Sequence, residues 1–259
     1  MEEQIKLVNE SIRELKHLRN VKKQVFRDVP PVLWFGNITT LKSKVLVLSA
    51  NPSRPDQPVG KARIPSADKW NKEIVTTDDL IRDYNNYFQN DNRAINWFGD
   101  KPMEGRNDDQ QGRIEDFLNG MGASFYDDNN YQPAIHIDLL PFSTEKPFTH
   151  VIDEILSIDG VPEWIDAHVR SLIRIIKPNI VIINGISNFN CFNLCVNVGA
   201  QPYTPYSYGN TTIWRSAKQD NFPTIIGVSM NMGSSCRKKR KELIDLGKYV
   251  KKLLTGTNK

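Results

Sequence analysis

Four short apolar runs punctuate the chain, and each one ends in polar or turn-forming residues. Val45-Leu46-Val47-Leu48-Ser49 leads into Ala50-Asn51-Pro52, and Ala134-Ile135-His136-Ile137-Asp138 into Leu139-Leu140-Pro141. Ile180-Val181-Ile182-Ile183 leads into Asn184-Gly185, and Thr224-Ile225-Ile226-Gly227-Val228 into Ser229-Met230-Asn231. Runs of this length without alternation predict strands covered on both faces, as in a parallel sheet. The intervening segments repeat their apolar positions at helical spacing. Ile5, Val8, Ile12, Leu15 and Leu18 predict an opening helix over about 3–25, and Thr77 caps a second that runs to Phe88. Further helices are expected from Pro162 to Ile176, from Asn188 to Val196, and over about 236–254, where Leu243, Leu246, Val250 and Leu253 make an apolar stripe on a basic helix. Residues 203–215 read as a hairpin turning at Gly209-Asn210. Strands alternating with helices give an α/β class: a three-layer α/β/α domain around a mostly parallel, four-stranded central sheet. With no repeat or linker in the chain, a single domain over residues 1–259 is expected.

Composition narrows the function classes. The chain has 259 residues, 34 Lys and Arg against 30 Asp and Glu, and a net charge of +4. A mild positive balance permits a nucleic-acid partner without requiring one. No apolar run approaches the roughly 18–20 residues that span a bilayer. The first segment is charged throughout, so no signal peptide, no membrane partner and a cytoplasmic, monomeric protein are expected. Three cysteines and four scattered histidines lack ligand spacing, so neither a metal nor a cofactor is expected. The most conspicuous charge feature is Arg237-Lys238-Lys239-Arg240-Lys241, five consecutive cations ahead of the last helix.

In open α/β sheets ligands bind beyond the carboxyl ends of the strands. Asn51, Asp138, Asn184 and Asn231 all fall there, which makes that rim the candidate site; four ordinary turn residues are the plainer reading. The residues at this rim resemble motifs of the uracil-DNA glycosylase superfamily. Ser49-Ala50-Asn51-Pro52-Ser53 is similar to the family's first motif, in which Asp or Asn before Pro positions the attacking water. Ser229-Met230-Asn231-Met232-Gly233-Ser234-Ser235 resembles its second motif, without that motif's His and Pro. Ile135-His136-Ile137-Asp138 matches the strand that reads the flipped base, and Lys177 to Gly185 matches the central helix–Pro–strand–Gly passage.

The resemblance implies a monofunctional glycosylase acting on double-stranded DNA. Asn51 would orient water, and Asn231 would donate to the base carbonyl as charge develops on it. Ser234, Ser235, Arg237 and Lys238 would grip the phosphates, with free backbone N–H groups from Gly233 onward helping them. Two departures bear on the base. Uracil-specific members carry Asn where this chain has Asp138; an ionised Asp only accepts hydrogen bonds, which suits the cytosine amino group and opposes uracil O4. Ser53 stands where those members place a bulky Tyr that blocks C5. The chain is therefore similar to the bacterial anti-phage branch that excises glucosylated hydroxymethylcytosine. The polar insert over residues 52–107, with Asp56, Gln57, Lys61, Arg63, Trp70, Asn85, Asn86 and Tyr87, would hold the sugar. Trp70, Tyr84, Tyr87 and Trp97 are stacking candidates, although Tyr84 and Phe88 also fit a core. The alternatives are a uracil or mismatch glycosylase and a non-catalytic nucleic-acid-binding protein of the same fold.

Overall fold

The computed structural model describes residues 1–21, 29–39, 44–50, 64–70, 74–89, 98–99, 107–126, 128–144, 146, 148–196, 202–218, 222–233 and 236–256. Within them the strands are β1 (Lys44–Ser49), β2 (Ala123–Ser124), β3 (Gln132–Asp138), β4 (Pro178–Asn184), β5 (Tyr203–Tyr208), β6 (Thr211–Ser216) and β7 (Thr224–Val228). The helices are α1 (Glu2–Val21), α2 (Pro65–Lys69), α3 (Thr77–Asn85), α4 (Ile114–Met121), α5 (Phe148–Leu156), α6 (Val161–Ile176), α7 (Ile186–Cys195) and α8 (Arg240–Thr255). All seven strands join one sheet in the order β2-β3-β1-β4-β7-β6-β5. The four expected strands are its contiguous centre, β3-β1-β4-β7, and they run parallel. Tiny β2 adds a parallel edge, and the β5–β6 hairpin adds an antiparallel one.

Register fixes which residues share a face. Gly227 pairs with Ile183 and with Trp214. A Cβ on Gly227 would lie 2.5 Å from the Phe189 ring of α7, and Trp214 stacks on that ring at 4.9 Å. Helix α7 therefore covers this face, and glycine is what lets it approach. On the opposite face Arg215 Nη1 donates to the Leu253 carbonyl of α8, and Tyr208 rests on Tyr249 with ring centroids 5.0 Å apart. Helix α8 crosses α4 at glycines on both sides. A Cβ on Gly247 would fall 2.0 Å from the Phe117 carbonyl oxygen, and one on Gly120 would fall 2.0 Å from that of Ile244. Gly247, which continues the apolar stripe of the last helix, is thus the point where the two backbones touch.

Boundaries differ from the periodicity where backbone partners intervene. Thr76, not Thr77, caps α3: its hydroxyl accepts from Asp79 N, and the Asp79 carboxylate accepts from Thr76 N. The last helix starts at Arg240 rather than 236, because the preceding residues pair with 110–112. Gly112 N donates to the Lys238 carbonyl, Arg240 N donates to that of Gln110, and Gln111 bridges Lys239. Helix α6 ends at Lys177, which takes a left-handed conformation with φ of 53°. That geometry usually selects glycine and costs a lysine about 1–2 kcal/mol. The expected first helix extends past Val21 into residues outside the description. No helix among the described residues is long and apolar enough to cross a membrane.

Candidate functional site

The carboxyl rim is assembled by the sheet register. Ser49 pairs with Asp138, Leu48 with Ile183, and Asn184 with Val228, so the last residues of four parallel strands lie side by side. At the usual strand spacing this row is roughly 14 Å wide. Leu139 N donates to the Ser49 carbonyl and Leu140 N to that of Ala50, both at 3.0 Å. The chain therefore leaves β1 toward Asn51 alongside the exit of β3. Asn51, Ser53, Ser234 and Ser235 themselves lie outside the described residues, as do Asp56, Gln57, Lys61, Arg63 and Trp97.

Asp138 is 3% exposed and shares its sheet face with His136, two positions earlier on β3. His136 Nε2 stands 3.2 Å from Asp138 Oδ1. The Nε2–H tautomer donates to the carboxylate and leaves Nδ1, which has no hydrogen-bond partner, as a buried acceptor. The imidazole is held by Phe35, Phe98 and Phe125, with centroids at 5.5, 4.9 and 6.3 Å. Its backbone is fixed from the edge by two hydrogen bonds with Phe35. Asp138 is thus a positioned acceptor at the edge of an aromatic cluster. Sequence reasoning singled out Asp138 but passed over His136, although strand alternation alone places the two on one face.

The two rim asparagines have other work. Asn184 Oδ1 accepts from Met232 N at 2.8 Å, tying the loop after β7 to the end of β4. Asn231 is exposed, and its Oδ1 accepts from Gly233 N at 2.9 Å, an Asx turn. Only its amide NH₂ is left to meet a ligand as a donor. The Gly233 N–H is consumed by that turn, contrary to the expectation of a free phosphate-binding amide there. The last helix starts at Arg240, seven residues further along the chain than Gly233.

Within the polar insert, Tyr84, Asn85, Tyr87 and Phe88 are structural. Asn85 Oδ1 accepts from Trp34 Nε1 and Ile38 N. Tyr84, Tyr87 and Phe88 are buried in the core; Tyr84 donates to the Pro31 carbonyl, and Phe88 stacks on Phe125 at 4.8 Å. Trp70 follows α2 half-buried against the core. Of the stacking candidates described, it alone is not fully buried. A cleft beside β2 and β3, lined by Gly36, Asn85, Phe88, Phe125 and Pro133, has about 60 Å³ of space, room for water but not for a base.

The basic run is largely neutralised by the fold. Arg240 is buried and bonds Asp116 of α4 at 2.7 Å. Lys239 pairs with Asp109 at 2.6 Å, and Lys238 with Glu242 at 2.9 Å. These contacts hold Asp109 and Glu242 below the usual carboxylate range, Asp109 chiefly through the Lys239 hydrogen bond and Glu242 chiefly through the Lys239 backbone amide. Arg237 and Lys241 are exposed, with no ion pair among the described residues. No group of three or more His, Cys, Asp or Glu among the described residues is placed to hold a metal.

The chemistry of this rim is an acceptor backed by imidazole, a donor amide and an aromatic lining. No model of a known protein family matches the chain, and no curated protein matches it.

Proposed function

We propose that the chain is a DNA glycosylase with a uracil-DNA glycosylase-like, three-layer α/β/α domain, excising a C5-substituted cytosine such as glucosylated hydroxymethylcytosine from phage DNA. The single observation that carries the reading is the buried Asp138 carboxylate, an acceptor-only group held by His136 at the carboxyl rim. A flipped cytosine offers its exocyclic amine to such an acceptor, whereas uracil offers a second acceptor and is repelled. In the proposed reaction the N-glycosidic bond breaks with its electrons moving onto the base. Water adds its oxygen to the sugar C1′, and the proton it sheds passes through solvent to the departing base anion, leaving a C1′ hydroxyl and the neutral free base. Asn51 orients that water, and the Asn231 amide donates to the base carbonyl as negative charge grows there. Trp70 offers a ring face for the base or its sugar.

The test is mass spectrometry of bases released from plain, uracil-containing, hydroxymethylated and glucosylated DNA, by the parent and by Asp138→Asn. The parent releases the modified cytosine. The amide can oppose its own NH₂ to the cytosine amine, so the ratio of modified-cytosine to uracil release falls about ten- to hundredfold. An unchanged ratio in folded protein removes Asp138 from base reading and returns the chain to the uracil alternative. Release of no base by the parent leaves the non-catalytic binding protein.

A further inference from the structure

The amino ends of β4 and β7, the opposite rim from the candidate site, border an open cavity of about 810 Å³. This lies within the range of small-molecule sites, roughly 300–1,000 Å³. Its lining is unusually cationic: Arg170, Arg174, Lys177 and Lys218 all face it, together with the ring of Phe222. Arg170, Arg174 and Lys177 are spaced i, i+4, i+7 along and just past α6, so they stand in one stripe about 10 Å long. Arg170 is oriented by two 2.9 Å hydrogen bonds to the Asp166 carboxylate, and its guanidinium sits 5.9 Å from the centroid of Phe222. Arg174, Lys177 and Lys218 have no ion pair among the described residues.

Two further observations single this cluster out. Lys177 is the one residue other than glycine with positive φ among the described residues. A strained backbone is thus kept at a position where a charged side chain meets the cavity. Behind it, Lys44 is buried and donates to the Ile176 carbonyl, and its pKa is lowered, first by burial and then by the neighbouring Lys177 charge. Among the described residues, Asp166 on Arg170 is the only carboxylate paired with these cations, so like charges are held together here in an arrangement that a bound anion relieves. A helix C-terminus attracts cations in any case, but that attraction falls off within the last turn. It accounts for neither Lys218, which comes from the β6–β7 connection, nor the aromatic wall.

We propose that this cavity binds a phosphorylated small molecule with a chain of two or more phosphates, a nucleoside polyphosphate in class. The phosphates lie along Arg174, Lys177 and Lys218, and the base stacks on the flat edge made by Arg170 and Phe222. A duplex engaged at the carboxyl rim does not reach it, because the strands between the rims are about 20 Å long. The site is independent of the glycosylase reading.

Calorimetric and thermal-shift titrations of the full chain with ATP and with pyrophosphate test this. Both probes should bind and raise the melting temperature, ATP more tightly than pyrophosphate. Arg174→Glu with Lys177→Glu should weaken both by about ten- to hundredfold, the loss expected for charge-assisted hydrogen bonds. Lys177→Gly removes the charge and relieves the left-handed strain, so it folds at least as well as the parent and should still bind more weakly. Base release should be unchanged in these variants. Absence of binding by both probes overturns the proposal, as does equal affinity in the charge-reversed protein. Displacement of ATP by a short DNA duplex also overturns it, since the cations would then serve nucleic acid.

Discussion

Two basic regions sit at opposite ends of the sheet, and they differ in what the fold has done with their charge. The run Arg237 to Lys241 is continuous in sequence, yet three of its five cations are spent on Asp116, Asp109 and Glu242. At the amino rim, four cations scattered between residues 170 and 218 converge on one cavity, and only Arg170 pairs with a described carboxylate. A local run of charge reports composition, whereas its availability depends on acids that come from elsewhere in the chain. Asp109 and Asp116 are over a hundred residues from their partners. The run is therefore chiefly a clamp between α8 and the segment around α4, and the amino rim holds the freer charge.

The strongest way to break this contrast is at Arg240. Its pair with Asp116 is buried, with side chains 10% and 6% exposed. Arg240→Ala strands the Asp116 carboxylate and should cost about 3–5 kcal/mol of stability. Urea unfolding checks this, and replacing both partners by well-packed apolar residues should recover most of the loss. A near-neutral Arg240→Ala would mean that the clamp is held by the glycine-mediated contact of Gly120 and Gly247 alone.

A second effect, about half that size, lies beneath the amino rim. His168 is on the inner side of α6, stacked on Trp164 at 4.9 Å, with neither ring nitrogen hydrogen-bonded. Burial pushes its pKa down to about 3. A base depressed in the folded state binds its proton only on unfolding. Its contribution to stability is therefore complete above about pH 6.5 and is lost as pH falls, by about 1.4 kcal/mol per unit, down to about pH 3. At pH 5 that amounts to roughly 2 kcal/mol. Glu115, whose buried carboxyl is raised to about 8, acts in the opposite sense between about pH 4.5 and 8. The clean measurement is therefore the difference between the parent and His168→Leu. The stability of the parent relative to the variant should fall steadily on acidification; a pH-independent difference would mean that His168 titrates alike in the folded and unfolded chain, so that burial does not desolvate it.

What the sequence reveals follows the range of the interaction that decides each feature. The central strands were evident because both of their faces are covered, and continuous apolar runs such as 45–48 and 180–183 record that directly. The β5–β6 hairpin was evident from Gly209-Asn210, which turns where expected. The start of α8 was not, since residues 236–239 have helical composition and are pulled straight by a bridge to 110–112. At the rim, Asp138 was identified as a strand-end acid, but its partner His136 read as one more strand residue. Asn184 and Asn231 have the right residue type at the right place, yet their side-chain oxygens are taken by Met232 N and Gly233 N. Such hydrogen bonds to neighbouring backbone are invisible without the tertiary fold. The amino-rim cavity was not evident, because the stripe Arg170, Arg174 and Lys177 reads as the solvated face of a helix until the fold brings Lys218 and Phe222 against it.

The smallest expected effect is also the most discriminating for DNA. Each phosphate contact made by a cation contributes about 0.9 to the slope of log affinity against log salt. If the basic run met DNA as a free patch, Lys238→Ala and Lys239→Ala would each flatten that slope by about this amount. In the fold, Lys238 is held by Glu242 and Lys239 by Asp109, so a phosphate must compete with a carboxylate already in place. Removing the lysine also exposes that carboxylate to the DNA, which weakens binding by repulsion at all salt concentrations without removing a counterion-releasing contact. The two lysine variants should therefore lower affinity with little change of slope. Arg237→Ala and Lys241→Ala, which leave no described acid unpaired, should each reduce the slope by nearly the full increment. Fluorescence anisotropy on a short duplex across a salt series measures all four. Equal slope losses at the four positions would show that DNA displaces the carboxylates, and the run would then rank with the amino rim as available charge. Unchanged slopes throughout would place the whole run on a face that never meets DNA, and phosphate contacts would have to come from elsewhere around the carboxyl rim.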